Sequence, residues 1–474
     1  MIEVIEPGNF QGEKYWYEKS FNATIHPLIS FFLKFDKQRL IARYCHLQPM
    51  VSAQDLEEIL TYKPKYFWWS GADLINAASA GGKRQMVVIE TNSCPSGQKA
   101  MPLVDDHSDY GGYVSLIEES FKLFLKGKRM TKGALALIYD KNKQESTGYA
   151  AAMSEVFQQK VFLIPYYDDG NNEHIRIEND QLEFYYDGGW NPIAAAFKYL
   201  TQKPWNRIPV ANKTVIFNPI IACLAGGRNK LIAAKAYEFY NATLEGSGLH
   251  INMPETIWDV NKAEIPFWVH KFGGHAVIKI PYSNAGQGVF TITSDSELDK
   301  FMAMEFDYER FIVQSLIGNY DWSSNTEKGR LYHVGTVPDK KGKSYVSDIR
   351  LMIHYTHQGY RPLCIYSRRA PMPLVNSLEQ IDDSWQVLGT NLSVKKGKNQ
   401  WDSDTSRLII MDRKDFNKLG LGLDDFIEAY IQTVLATIAI DKMAQKLITP
   451  QGKLKMKLYK SFNDDTSLID EIIN

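Results

Sequence analysis

Apolar residues recur at three- and four-residue spacing through "HPLISFFLKF" and "SAQDLEEIL", which predicts helices between about residues 15 and 65. The pattern then changes to apolar runs bounded by polar turns. "KYFWWSGADLI" and "KRQMVVIETN" read as two strands, with Gly81-Gly82 as a two-residue hairpin loop between them. Pairing outward from that loop sets Asp73 opposite Glu90. Side chains alternate along a strand, so Asn92 shares the face of Glu90, about 6–7 Å further on.

From about 131 to 250 short apolar strands alternate with helical segments. The strands are "GALALIYD", "KVFLIPYY", "LEFYYDGG" and "TVIFNP"; the helical segments are "STGYAAAMSEVFQQ", "IAAAFKYL" and "NKLIAAKAYEFYN". Such alternation predicts a parallel α/β layer. "HAVIKIPYSNAGQGVFTI" reads as two strands around a glycine-containing loop, "SDSELDKFMAM" as a helix with serine at its start, and "RFIVQSLI" as a buried strand. Two further strands, "SYVSDIRLMIHYT" and "YRPLCIYSRR", are joined by "HQG". A long amphipathic helix, "LDDFIEAYIQTVLATIAIDKMAQKLI", precedes the basic tail "GKLKMKLYK", which reads as a solvated end.

A chain of 474 residues exceeds one ordinary core, so several domains are expected. The formal net charge of −1 argues against a dedicated nucleic-acid binder, which needs a basic excess. Cys45, Cys94, Cys223 and Cys364 form no metal-binding spacing and read as reduced thiols. No basic start leads into an apolar core, and no apolar run reaches the roughly 20 residues that span a bilayer. A cytoplasmic location is expected, with no membrane partner.

Asp73, Glu90 and Asn92 offer hard oxygen ligands from paired strands, which suits Mg²⁺. The same residues read equally well as a turn residue, an edge charge and a turn former. Lys279 ends a buried strand and is followed by Ser283, Asn284, Gly286, Gln287 and Gly288. Glycines let backbone N–H groups approach a polyphosphate, and a lysine ammonium acts on it as a point charge. A plain hairpin with two glycines is the alternative. Cys94 lacks a histidine at readable spacing, and His275 and His354 read as ordinary strand or loop residues.

Together these segments resemble the ATP-grasp superfamily. The resemblance implies α/β and α+β architecture: a pre-ATP-grasp, Rossmann-like domain and a nucleotide gripped between two subdomains. The acidic strands precede the glycine loop, an order similar to circularly permuted members such as eukaryotic glutathione synthetase and glutathionylspermidine synthetase. The domains expected on that basis are N-terminal helices with the acidic hairpin (1–130), the pre-ATP-grasp domain (131–250), a lid with the glycine loop (251–320) and the rest of the catalytic core (321–474).

Carried over by resemblance, ATP would contact Lys230, Lys279, Ser283, Asn284, Gly286, Gln287 and Gly288. The hinge Gln314, Ser315, Leu316 and Ile317 would read the base, and Asp321 the ribose. Arg350, Arg368 and Arg369 would stabilise the transferring phosphate and hold a carboxylate. Mg²⁺ would sit on Asp73, Glu90 and Asn92, and Ser93, Ser96 and Lys99 would line the acceptor pocket. The implied activity is ATP-dependent carboxylate–amine ligation through an acylphosphate, on small-molecule carboxylate and amine substrates such as an amino acid, peptide or polyamine. A homodimer is compatible with it. A kinase of a polyol or inositol phosphate and a non-catalytic nucleotide-binding scaffold are the alternatives; a strongly basic acceptor site would favour the kinase.

Overall fold

Among the described residues the strands form a seven-stranded, a six-stranded and a four-stranded sheet plus a two-stranded ribbon. The computed structural model describes residues 1–105, 110–167, 172–283, 288–379, 381–395 and 401–472. The seven-stranded sheet is parallel at its centre. Ala134–Tyr139 lies between Val161–Pro165 and Gly189–Tyr199, and Val215–Phe217 continues beyond the latter. Helix Lys143–Phe157 makes the crossover from the first of these strands to the second. Glu3–Ile5 adds antiparallel at one edge, so the N-terminus joins this sheet rather than only the helices that follow it.

"IAAAFKYL" is a strand, not the expected helix. Ile193 to Tyr199 are all buried in the sheet. Burial on both faces erases the period-two signal, and the alanine run then mimics a helix former.

The six-stranded sheet centres on Trp69–Ser79. Arg84–Asn92 pairs with one edge of that strand, and Ser347–Thr356 with Leu331–His333 pairs with the other. Gly359–Arg369 and Leu408–Ile409 complete it. The predicted long helix spans Leu423–Leu447 and is buried along most of its length. Its Asp441 carboxylate accepts from the backbone N–H groups of Lys65, Tyr66 and Phe67 at 2.7–3.1 Å, which anchors the entry to the central strand. Phe67, Trp68 and Trp69 are core residues.

The hairpin loop differs from expectation and the residues it presents do not. Three residues, Ala80 to Gly82, connect the strands: Ser79 N–H donates to Lys83 O at 2.9 Å. Gly82 takes the left-handed conformation (φ +80°) that a three-residue loop requires. Near the loop the pairing is therefore one residue out of phase, with Leu74 opposite Val88. A β-bulge between Asp73 and Leu74 absorbs Ile89 and restores the phase, so Asp73 faces Glu90 and Gly71 faces Asn92. The two departures cancel.

The four-stranded sheet, Thr256–Asn261, Arg310–Ser315, Ala276–Lys279 and Val289–Ile292, is antiparallel and has its own core around Val260, Phe272, Ile278 and Phe301. The basic tail is not a free solvated end. Met456–Phe462 forms a helix whose buried Tyr459 hydroxyl meets the Tyr282 hydroxyl and Asn229 Nδ2, each at 3.1 Å. All four cysteines are free thiols. No helix among the described residues is long and apolar enough to cross a membrane.

Candidate active site

A cleft of about 1140 Å³ opens where the acidic hairpin, the lysine strand Ala276–Lys279 and the loops after the parallel strands meet. Loops at the carboxyl ends of parallel strands are where α/β sheets place ligands. Among the described residues, seven cationic side chains line it, Lys99, Lys141, Arg228, Lys230, Lys279, Arg350 and Arg368, against four carboxylates, Asp73, Glu90, Asp140 and Asp348. Among the described residues, a chain of net charge −1 thus carries an excess of positive charge in this cleft.

Asn218 locks the working end of the acidic hairpin. Its Oδ1 accepts from Trp68 and Trp69 N–H at 2.9 and 3.3 Å, while Nδ2 donates to Ser93 O at 2.9 Å and to Trp69 O. The carboxylate of Asp73 is not open to a metal. Arg350 forks onto both its oxygens at 2.5 and 2.6 Å, and Arg368 Nη2 lies 2.9 Å from Oδ2. Burial alone would raise the Asp73 pKa, but the two guanidinium groups hold it well below the usual carboxylate range. Arg368 also forks onto Asp348, which Thr390 Oγ1 caps at 2.9 Å. Arg350 and Arg368 therefore line the cleft with their charge already matched, and Asp73 anchors them.

Glu90 and Asn92 differ from Asp73. The Glu90 side chain is 30% exposed and has Lys230 Nζ at 3.4 Å from Oε1. Asn92 Oδ1 accepts from Arg228 Nη1 at 3.2 Å, and its buried Nδ2 has no partner. No cluster of three His, Cys, Asp or Glu residues able to hold a metal occurs among the described residues. One carboxylate with one carboxamide fits Mg²⁺, which keeps most of its water and phosphate ligands. That fit extends to Glu90, with Asn92 Oδ1 shared with Arg228, and not to Asp73.

Two lysines from separate segments meet this hairpin. Lys230 opens the helix Lys230–Thr243, and its Nζ donates to Ser283 O at 2.8 Å and Ser283 Oγ at 3.0 Å. Lys279 Nζ donates to Ile89 O at 3.1 Å. Burial pushes the Lys279 pKa down to about 8, with Glu90 opposing and Lys230 reinforcing the shift. Gly288 adopts φ +70° with a Cβ position that would meet Ile280 Cγ1 at 2.2 Å, so this corner of the loop requires glycine. Asn284, Gly286 and Gln287 lie outside the described residues.

Several expected contacts fall elsewhere. Arg369 alternates to the far side of its strand, where it stacks on Tyr345 at 4.5 Å. Ser93 is buried against Cys223 Sγ at 3.1 Å and does not line the cleft. Asp321 is exposed in a turn, its N–H bonded to Asn319 Oδ1, and is not part of the lining. Gln314, Ser315, Leu316 and Ile317 do line it, beside Val277, Val289 and Leu388. The Gln314 side chain is bonded to Thr256 Oγ1, and the N–H groups of Ser315 and Leu316 to Glu255 O and Ser324 Oγ. The Cys94 thiol lies 3.4 Å from Lys198 Nζ, and burial pushes its pKa up, so it is not an activated nucleophile. His354 is buried against Ser120 Oγ at 2.8 Å, and burial pushes its pKa down to about 3.

The sequence reading missed Arg228, Lys141, Asn142 and Glu145. Glu145 is fully buried; it accepts from Ser96 Oγ at 2.7 Å and from the N–H groups of Gly97 and Gln98 at 2.9 and 3.1 Å. Asn142 accepts from Lys99 Nζ at 2.5 Å and donates to Ser96 Oγ at 2.9 Å. Asn142 takes a φ of +57° in the loop after a parallel strand, a conformation asparagine tolerates.

No family model matches the chain, and no curated sequence matches it significantly. Solved structures do. A glutathione synthetase like-effector from Globodera pallida is 9% identical, with a TM-score of 0.39 over 75% of this chain and 88% of that one. A RimK domain ATP-grasp protein from Sphaerobacter thermophilus is 12% identical, with a TM-score of 0.31 over 49% and 90%. D-alanyl-alanine synthetase A from Vibrio cholerae is 11% identical, with a TM-score of 0.31 over 50% and 89%. A protein described as ATP-grasp is thus among the structures this chain is similar to.

Proposed function

We propose that the cleft binds Mg²⁺-ATP and joins a carboxylate to an amine with release of ADP and phosphate. The supporting observation is the convergence of Glu90, Lys230 and Lys279 on one point, from three separated segments, in a cavity with excess positive charge. A carboxylate is a poor electrophile; taking the γ-phosphoryl group makes it an acylphosphate that an amine can attack. Phosphoryl transfer is helped mainly by positioning and charge neutralisation, which preset cations supply. Lys230 and Lys279 would offset phosphate charge, and the apolar strip of Val277, Val289, Leu316 and Ile317 would take the base. Glu90 and Asn92 would hold Mg²⁺, which supplies Lewis-acid charge to the phosphate oxygens. The Arg350–Asp73–Arg368–Asp348 chain keeps the floor of the site rigid.

A second reading, a kinase of an anionic small molecule, shares the same nucleotide wall. It is favoured by the further cations that line the cleft, Lys99, Lys141 and Arg228. Incubation with Mg²⁺-ATP and pools of amino acids, peptides, polyamines and phosphorylated polyols separates the two. The ligase yields ADP with a condensed product by mass, whereas ADP with a phosphorylated, uncondensed product shows the kinase. Absence of ATP turnover and of an ATP-induced thermal shift would defeat both.

Lys279 gives the nucleotide site a pH signature. With a pKa near 8 in the free protein, it is already charged below that value and must take up a proton above it to meet a polyphosphate. ATP affinity should be flat up to about pH 8 and then fall, by up to about tenfold per unit for one proton. Titration calorimetry in buffers of different ionisation enthalpy should show proton uptake above pH 8, absent in Lys279→Met. A flat profile in the unmodified protein would remove Lys279 from the phosphate site.

A further inference from the structure

Lys198 places an amine in the core with little for it to do there. It lies on the parallel strand Gly189–Tyr199 and is 1% exposed. Its Nζ donates to Cys94 Sγ at 3.4 Å and to Cys223 Sγ at 3.3 Å, and among the described residues no carboxylate is paired with it. The Cys94 thiol in turn donates to Lys198 O at 3.4 Å. Sulfur is a weak hydrogen-bond acceptor, so two thiols do not offset the cost of taking an amine out of water. A methionine would fill the position at lower cost to the fold. What the amine adds is reactivity beside sulfur.

The two sulfurs differ in access. Cys94 lines the cleft, two residues beyond Asn92, whereas Cys223 is fully buried and does not line it. Cys223 Sγ is also engaged by Ser93 Oγ at 3.1 Å. A small oxidant that enters the cleft therefore meets Cys94 first. Once a cysteine carries a sulfenic acid, a neighbouring thiol or nitrogen condenses with it. The Cys94 thiol is not activated by itself, and Lys198 Nζ is both the base its oxidation needs and the nitrogen in place to condense.

We propose that Cys94 and Lys198 are a modification site, joined by peroxide through a sulfur–nitrogen bond. The Cys94 sulfur attacks one oxygen of hydrogen peroxide, and the O–O bond breaks. The thiol proton passes through Lys198 Nζ to the departing hydroxide, which leaves as water. The neutral Nζ then attacks the sulfenic sulfur: an S–N bond forms, the S–O bond breaks, and the hydroxyl leaves with an Nζ proton as a second water. Sulfur is oxidised and peroxide reduced, so the chain loses two hydrogens and gains no atom. Two equivalents of a thiol reductant return the thiol and the amine and leave as one disulfide. The bond ties the loop after the acidic hairpin to the α/β sheet.

Peptide mapping tests this without reference to turnover. The full chain is reduced, freed of reductant and treated with excess hydrogen peroxide. It is then alkylated, unfolded in urea and digested with trypsin at neutral pH. A linked pair of peptides carrying Cys94 and Lys198 should appear, lighter than their sum by two hydrogens. Cleavage after Lys198 and the free Cys94 peptide should both be largely lost, while Cys364, also buried, is recovered as a thiol. Dithiothreitol added before digestion should restore both peptides. Cys223→Ser should keep the link, and Cys94→Ser should abolish it. If a variant does not fold, the parent digest decides by itself. A disulfide between Cys94 and Cys223, Cys94 carried to sulfinic acid with Lys198 still cleaved, Cys94 recovered as a thiol, or a Lys198 link that survives Cys94→Ser would each overturn the proposal.

Discussion

Glu90→Gln is expected to cut ATP turnover by on the order of 10²–10³-fold while moving the melting temperature by no more than about 2 °C. The change keeps the shape and removes one negative charge at the point where Lys230, Lys279 and the phosphate oxygens would converge. Glu90 is partly exposed and its Lys230 contact is long, so its loss should cost the fold no more than about 0.5 kcal/mol. Single-turnover kinetics with a parallel thermal scan check both halves. A large drop in melting temperature would make Glu90 structural, and unaltered turnover would remove it from the metal site.

Asp73→Asn should behave in the opposite manner. Asp73 is 3% exposed and bonded to two guanidinium groups. Neutralising it strands much of the Arg350 charge in a buried wall, since Arg368 retains Asp348 and Arg350 does not touch that carboxylate. Breaking one partner of a buried ion pair typically costs about 3–5 kcal/mol. Denaturant unfolding should show that loss. The double variant Asp73→Asn/Arg350→Gln should recover part of it, because the unpaired charge is gone. An unfolding free energy within 1 kcal/mol of the parent would refute the anchoring role and reopen Asp73 as a metal ligand. The pH dependence has a definite sign: a carboxylate held below its unfolded value stabilises the fold above that value, and the stabilisation fades as acid protonates it.

The contrast between these two carboxylates marks where sequence reading stopped. Their pairing across a hairpin came out as expected only because the bulge between Asp73 and Leu74 offsets a loop one residue longer than the sequence suggested. Which of them is occupied was not legible, because Arg350 and Arg368 lie some 280 residues away in the chain. Local chemistry singled out Lys279, at the end of a strand before a glycine loop, whereas Lys230 came only from the family resemblance. Arg369 went astray for want of strand phase, and Ser93 because the chain after Asn92 turns its side chain toward Cys223. The strand Gly189–Tyr199 was misread because double-sided burial leaves no alternation. Lys141 and Asn142 sit in a loop whose residues have no periodicity to betray them.

Glu145 has a mechanical consequence. By gripping Gly97 and Gln98 from the opposite layer, and with Asn218 pinning Trp69 and Ser93, the α/β sheet and the acidic hairpin become one stiff body. The four-stranded sheet has a core of its own, yet Ile312 on it and Tyr282 and Tyr308 beside it are buried in the main core, and Lys279 donates to Ile89 O. Lys279 lies opposite Ile312 in that sheet, so the lysine strand is fixed against the acidic hairpin by the fold itself, and the spacing of the two is set before any ligand arrives.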